Sequence, residues 1–512
     1  RGPVIVALDG LSWNVSSVEM IKTAFKRAGR RHDESAELEN GYKIVDMPDM
    51  LDQLWDDRPA VPVSPVITLG DDLTGESRQS KIASIRRFLE EVDCDSILFT
   101  ALDEIAWTLN VRGSDVEYNP VVISYLLVTN DDVCWFVKKP VVGKLDSETL
   151  SSFAELEADG VMIRPYDDVE LVFSGADCTE LRHLYVDPAT LNWHLYKAMA
   201  SSSVKVKAGV SPIPLRKAVK NEIEISGMRE AHLEDGLAME KFLFWLETEM
   251  ASGAEIDEWD AAVKLDSLRA QIPGYRGNSF ETISAYGPSA ALPHYVTHEV
   301  GSRKLEPRGL YLCDSGGQYL FGTTDITRTV PLGPCTDLEK EDYTLVLKGH
   351  IGLATAMFPA GTSGSQIDYA ARSPLWKFKR DFGHGTGHGV GFFLNVHEGP
   401  QEIRHNFNSQ PLLPGMISSD EPGLYREGMH GIRHENLLLC TDAGTNEFGS
   451  WRCFENLTLC HIDTAPVITD LLTDEEMAWL NAYNAEVYAT LAPHLPEDVA
   501  EWLKTKTLPI SE

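Results

Sequence analysis

The chain has 512 residues, with 78 Asp and Glu against 45 Lys and Arg, so its formal net charge is −33. That balance excludes a nucleic-acid backbone binder, which needs clustered cations, and a protein docked on anionic lipid. It is compatible with a hard cation held by carboxylate oxygens.

The length corresponds to about three domains of roughly 150 residues each. No stretch approaches the roughly 20 apolar residues of a membrane span. Arg1-Gly2-Pro3 shows no secretory pattern and reads as the edge of a trimmed chain. None of the eight cysteines pairs as CxxC. Reduced thiols and a cytoplasmic setting are the expectation.

Residues 1–57 predict a strand over 3–8 and a helix over 18–28, with Met20, Ile21, Ala24 and Phe25 on one face. This is too little for an independent domain. The segment 58–65 carries Pro59, Pro62 and Pro65 and reads as an extended linker. Residues 66–213 predict a helix over 76–92, a strand over 96–100 and a hairpin whose strands, 121–128 and 133–137, flank Asn130-Asp131-Asp132. Mixed helices and strands imply an α/β or α+β sheet. Residues 215–512 open with a predicted helix over 221–249, its stripe running from Ile225 through Met228, His232 and Gly236 to Leu246.

The chemistry concentrates in this third region. A strand ends in Cys313-Asp314-Ser315-Gly316-Gly317, and Gly322-Thr323-Thr324-Asp325-Ile326 follows. A turn between them would set Asp314 and Asp325 side by side on neighbouring strands. Two carboxylates there repel, so a cation belongs between them. In Gly383-His384-Gly385-Thr386-Gly387-His388-Gly389-Val390-Gly391 every second residue is glycine. That argues against helix. An extended chain would point His384, Thr386, His388 and Val390 one way and present bare backbone on the other side. Glu421 precedes Pro422 and so lies at a strand end. Alternation puts Arg433 and Glu435 on one face of their strand and His434 on the other. The HExxH, GxSxG and Walker patterns are absent. Four carboxylates with one histidine form a hard donor set suited to Mn²⁺. Their charge balances two divalent metal ions, which could activate a bridging water for hydrolysis.

Within these strings, Asp314, Asp325, His388, Glu421 and Glu435 resemble the five dinuclear-metal ligands of the pita-bread metallopeptidases. The strings at 314–319, 322–329, 384–391, 395–400, 420–423 and 431–436 are most similar to the long cytosolic form of aminopeptidase P, the Xaa-Pro aminopeptidases. The resemblance extends to 101–116, 217–221 and 472–480. It implies an α/β (α+β) protein in three parts. Residues 215–512 would form the pita-bread catalytic domain with a C-terminal extension. Residues 66–213 would be a creatinase-N-like domain, and 1–57 the remnant of an earlier one.

The resemblance further implies that Asp325 and Glu435 bridge two divalent metal ions, that Asp314 holds one, and that His388 and Glu421 hold the other. A hydroxide between the ions would attack the scissile carbonyl, with Glu421 accepting the proton. His294 and His397 would flank the scissile bond, His384 would shape the site for proline, and Arg433 would orient a metal-bound carboxylate. Phe392 and Phe393 are candidates for the proline pocket. The expected partners are peptides with proline at the second position, and the expected assembly is a homodimer. Leu424 stands where an aromatic is frequent in the family, and His434 where an aliphatic is. Two alternatives remain, a prolidase restricted to Xaa-Pro dipeptides and a non-catalytic module on the same fold. A non-catalytic module would have no need of five chelating side chains.

Overall fold

The computed structural model describes residues 2–511 except 36–38, 50, 53, 139–146 and 174–180. The chain folds as two compact units, Arg1–Pro214 and Leu215–Glu512.

The first unit is built on a six-stranded mixed sheet. Its order is Lys205–Ala208, His183–Val186, Ser96–Phe99, Ser124–Thr129, Val133–Val137, Val161–Pro165. The three strands from Ser96 to Val137 are buried along their whole length, which is why they read as continuous apolar runs rather than alternating ones. The hairpin forms as expected, with Val128 opposite Val133. Its first strand begins at Ser124 instead of 121, because Asp115 takes the amide of Ile123 at 2.8 Å.

A smaller parallel sheet joins Val4–Leu8 to Gly41–Asp46. The helix beside it, Val15–Arg27, starts earlier than predicted because Asn14 caps it, accepting from the Ser17 amide at 2.7 Å. Its buried face is Val15 and Val18, with Ile21 and Phe25 at the margin. Met20 and Ala24, placed on that face from sequence, are exposed. The stripe is set by Tyr42 and Ile44 of the sheet and by Trp193, which share one apolar cluster with Leu8 and Val18. The N-terminal segment therefore packs into the first unit's own core.

The second unit opens with the helix Glu222–Ser252. A reciprocal capping box of Asn221 and Glu224 starts it, and Gly253 ends it at φ 80°. The predicted stripe is buried from Ile225 to Leu246. Two sheets carry the site. One has the order Ile283–Tyr286, Leu310–Ser315, Ile326–Pro331. The other is six-stranded, and its far side runs Asn436–Asn446, Ile417–Asp420, Gly387–Gly389, Glu398–Ile403.

Candidate metal centre

Each acidic side chain of the centre sits where a strand ends or breaks. Asp314 is the penultimate residue of Leu310–Ser315 and lies opposite Thr327. Asp325 immediately precedes Ile326–Pro331. The two aspartates are thus diagonal neighbours rather than a directly opposed pair. The turn expected between them is replaced by an extra hairpin. Gly317–Tyr319 pairs with Gly322–Thr323 in a different sheet, and the chain reverses at Leu320 and Phe321. Gly316 makes the crossing possible, since a Cβ there would lie 2.0 Å from the Thr324 carbonyl oxygen.

The glycine-rich segment is extended only over Gly387–Gly389. His384 and His388 both line the site cavity. The expectation that Thr386 and Val390 would face the same way is not met. Thr386 donates to the buried Asp368, and Val390 packs with Ile417 and Leu437. The bare-backbone side is used as predicted: a Cβ on Gly387 would sit 1.9 Å from the Ser419 carbonyl oxygen of the adjoining strand. Gly387→Ala is expected to cost about 1–3 kcal/mol through forced separation of the strands. The denaturant midpoint reads this, and an unchanged midpoint would contradict it.

Glu421 follows Ile417–Asp420, and its amide donates to the Thr386 carbonyl at 2.8 Å. Glu435 occupies the break between His430–Arg433 and Asn436–Asn446. Its Oε2 accepts from Thr327 Oγ1 at 2.8 Å. His434 points the other way, with its ring edge-on to Tyr343 at 4.5 Å.

These side chains converge on one cavity of about 240 Å³. Its lining includes Asp314, Asp325, His388, Glu421 and Glu435, with His294, His384, His397 and Arg433. Donor atoms of Asp325, His388 and Glu435 all lie within 4.8 Å of one another. His388 Nδ1 donates to the Gly389 carbonyl at 2.9 Å, so Nε2 faces Asp325 at 3.4 Å and Glu421 at 3.6 Å. A backbone bond on one ring nitrogen is the usual way a metal-binding histidine is oriented. Arg433 donates to Asp314 Oδ2, to Thr327 Oγ1 at 3.1 Å and to the Tyr425 hydroxyl at 2.6 Å. Asp314 Oδ1 is buried with no hydrogen-bond partner among the described residues. An orphaned carboxylate oxygen amid three further carboxylates fits a cation.

The electrostatics agree. Burial, and then the charges of Asp325, Glu421 and Asp314, push the Glu435 carboxyl well above the usual range. Burial pushes Glu421 up to about 7, against the pull of His388 and Arg433. Burial and Asp325 raise Asp314, with Arg433 opposing. Burial disfavours charge on His388, but the bond to Asp325 and the charge of Glu421 win, raising it to about 9. Without a cation the carboxylates hold protons, so metal and proton compete. Mn²⁺ affinity should therefore rise with pH through the Glu421 value of about 7 and on through the His388 value of about 9, since each must give up its proton to bind the ion. Calorimetry at several pH values would read it, and a flat profile would contradict it.

The histidines differ in their freedom. His384 Nδ1 donates to the Gly385 carbonyl at 2.7 Å, and Nε2 accepts from the Tyr425 hydroxyl at 2.8 Å. Burial first, and then the charge of Arg433, lower its pKa to about 4, so it is neutral. The His397 ring lies edge-on to His388 with centroids 4.4 Å apart, and burial followed by the charge of His388 lowers its pKa. His294 lies on an exposed loop with no helix around it, so it forms no helical pair with His298.

Phe392 and Phe393 are buried and do not line the cavity, and Phe392 packs with Ile225 and Met228. The apolar lining is Phe280, Ile283 and Pro293. Glu402 and Arg404, 3.2 Å apart, complete the wall. Sequence reading did not single these out. Tyr425 was also passed over, although its place two residues after Gly423 was visible.

Comparison with known proteins accounts for nearly the whole chain. Residues 226–442 match the metallopeptidase family M24, 57–224 the creatinase/prolidase N-terminal domain, and 450–510 the C-terminal region of peptidase M24. A probable Xaa-Pro aminopeptidase P of Talaromyces marneffei is 39% identical over 94% of this chain and 75% of its own length. The chain belongs to metallopeptidase family M24. Aminopeptidase P1 of Arabidopsis thaliana is 38% identical over 92% of this chain and 80% of its own. An X-prolyl aminopeptidase of Caenorhabditis elegans, described as a cytosolic enzyme with a di-nuclear active site, superposes with a TM-score of 0.89 at 36% identity. That match covers 100% of this chain and 82% of the other. The expected α/β architecture, a pita-bread-type catalytic region preceded by a creatinase-type domain, is thus the one found in this M24 member.

Proposed function

We propose that this chain is a metal-dependent aminopeptidase that removes the N-terminal residue from peptides whose second residue is proline. The observation that carries this reading is the convergence of Asp314, Asp325, His388, Glu421 and Glu435 on one cavity, with an orphaned buried carboxylate oxygen among them. Likeness to proteins named Xaa-Pro aminopeptidases supports the substrate class.

Asp314, Asp325, His388, Glu421 and Glu435 would hold two divalent ions. The all-oxygen and imidazole donor set favours Mn²⁺. When bound, the ions supply an acidified water and offset charge on the scissile carbonyl. The chain's own groups do the rest. Glu421, whose carboxylate faces the cavity, would accept the water's proton. Arg433 fixes Asp314, and through Tyr425 it fixes His384, whose committed ring nitrogens make it a shaping wall rather than a proton carrier. His294 and His397 also line the cavity and would donate to the carbonyl or the leaving nitrogen. Phe280, Ile283 and Pro293 offer the apolar surface a proline ring requires. An Xaa-Pro amide has no hydrogen to donate, so shape is the available test.

In this reading residues 215–512 are the catalytic domain with its C-terminal extension, 66–213 the creatinase-like domain, and 1–57 belong to an earlier creatinase-like domain. The enzyme works in the cytoplasm as a homodimer. Among the described residues no helix is long and apolar enough to cross a membrane.

Removing metal with a chelator should abolish hydrolysis of an Xaa-Pro-Pro tripeptide, and added Mn²⁺ should restore it. The reading fails if the tripeptide is resistant and only the Xaa-Pro dipeptide is cut, which is the behaviour of a prolidase.

A further inference from the structure

Glu435 lies in a two-residue break between strands, so its carbonyl has no ladder partner. A buried carbonyl needs a donor. The donor here is Arg328, whose Nη1 reaches the Glu435 carbonyl at 2.8 Å and the Thr327 carbonyl at 2.9 Å. Arg328 is 1% exposed. Its other nitrogens serve a second irregular buried segment. Nη2 donates to the Cys460 carbonyl at 2.7 Å, and Nε to the His461 carbonyl at 3.1 Å. Nη2 also reaches Asn436 Oδ1 and the Tyr483 hydroxyl, each at 2.8 Å.

Tyr483 belongs to the helix Asp474–Leu491 and is 4% exposed. Its hydroxyl lies 2.8 Å from the Cys460 carbonyl and 3.0 Å from the Thr458 carbonyl. One guanidinium therefore joins the backbone of Glu435 to the C-terminal helix. The opposite side of Glu435 is held by the same strand, its amide donating to the Thr327 carbonyl at 3.1 Å and its Oε2 accepting from Thr327 Oγ1.

We propose that Arg328 and Tyr483 are positioning residues for Glu435, so that the C-terminal region, beyond its packing, sets the affinity of the centre for divalent metal. This rests on the reading of Glu435 as a metal ligand. The physical reason is that a metal-holding carboxylate tolerates little displacement, and this one hangs from a two-residue break between strands whose carbonyl depends on Arg328. Losing the Tyr483 hydroxyl leaves two carbonyls competing for fewer donors and releases Arg328 from the helix side.

The test is titration of Mn²⁺ into the chelator-treated full chain, with thermal melting alongside. Tyr483→Phe is expected to weaken Mn²⁺ binding by about 10- to 100-fold, the usual effect of losing an outer hydrogen-bond partner. Val487→Ala, a buried apolar truncation one turn along the same helix, is the control. It should lower the melting temperature and leave Mn²⁺ affinity at the wild-type value. Wild-type affinity in Tyr483→Phe, or equal loss in Val487→Ala, overturns the proposal while leaving the metal-centre reading intact. A wild-type chain that takes up no Mn²⁺ overturns both. Hydrogen exchange on the wild-type chain keeps the test open should Tyr483→Phe not fold. Because coupling is reciprocal, Mn²⁺ should slow exchange in peptides spanning 457–462 and 478–487. Protection confined to the cavity's own strands would overturn it.

Discussion

Glu435→Gln should lower kcat/KM on an Xaa-Pro peptide by on the order of 10³-fold, the scale of losing an electrostatic contributor to the transition state. Glutamine keeps the side chain's size, and its carbonyl oxygen still accepts from Thr327 Oγ1, so the local fold is expected to survive. What disappears is a carboxylate able to ionise toward a cation, at a place where burial, and then the charges of its neighbours, drive Glu435 to hold a proton when no cation is there. A cation pair there would lose one of the carboxylates proposed to hold it. Stabilisation against heat by added Mn²⁺ should be lost with the activity, since only a protein that binds the ion gains from it. Activity within tenfold of wild type, with the Mn²⁺ melting shift retained, would remove Glu435 from the ligand set.

His397→Ala should lower kcat by about 10²- to 10⁴-fold, the range for a positioned acid or base. Its ring touches His388 edge-on but lies outside the tight group of Asp325, His388 and Glu435. Metal content should therefore stay at the wild-type level. KM should change little if His397 acts on charge that develops during reaction. A rise in KM alone would reduce it to a binding contact, and loss of metal would make it a support for His388.

Much of this was legible in the sequence for local reasons. Alternating glycines exclude a helix whatever surrounds them, and Pro422 keeps Glu421 extended. Arg433 and Glu435 both reach the cavity with His434 turned away, as period-two alternation predicts, although 434–435 form a break between strands. The same kind of argument failed where neighbours decide. Met20 and Ala24 read as a core face until Asn14 shifted the helix start and Tyr42, Ile44 and Trp193 chose the buried side. Thr386 left the expected histidine face because Asp368, distant in sequence, offers it an acceptor. Phe392 and Phe393, adjacent to the site in sequence, point into the core, and the apolar wall comes instead from Phe280, Ile283 and Pro293.

The sequence by itself determined the donor types, the glycine frame around the histidines and the family to which the chain belongs. Those follow from side-chain chemistry and local backbone limits. Only the tertiary structure decided that Asp314 and Asp325 meet diagonally across an inserted hairpin. It alone decided that an Asp314 oxygen is left without a partner among the described residues, and that Arg328 ties Glu435 to a helix far along the chain. Each of these depends on which distant segments share a buried space, and no spacing along the chain encodes that.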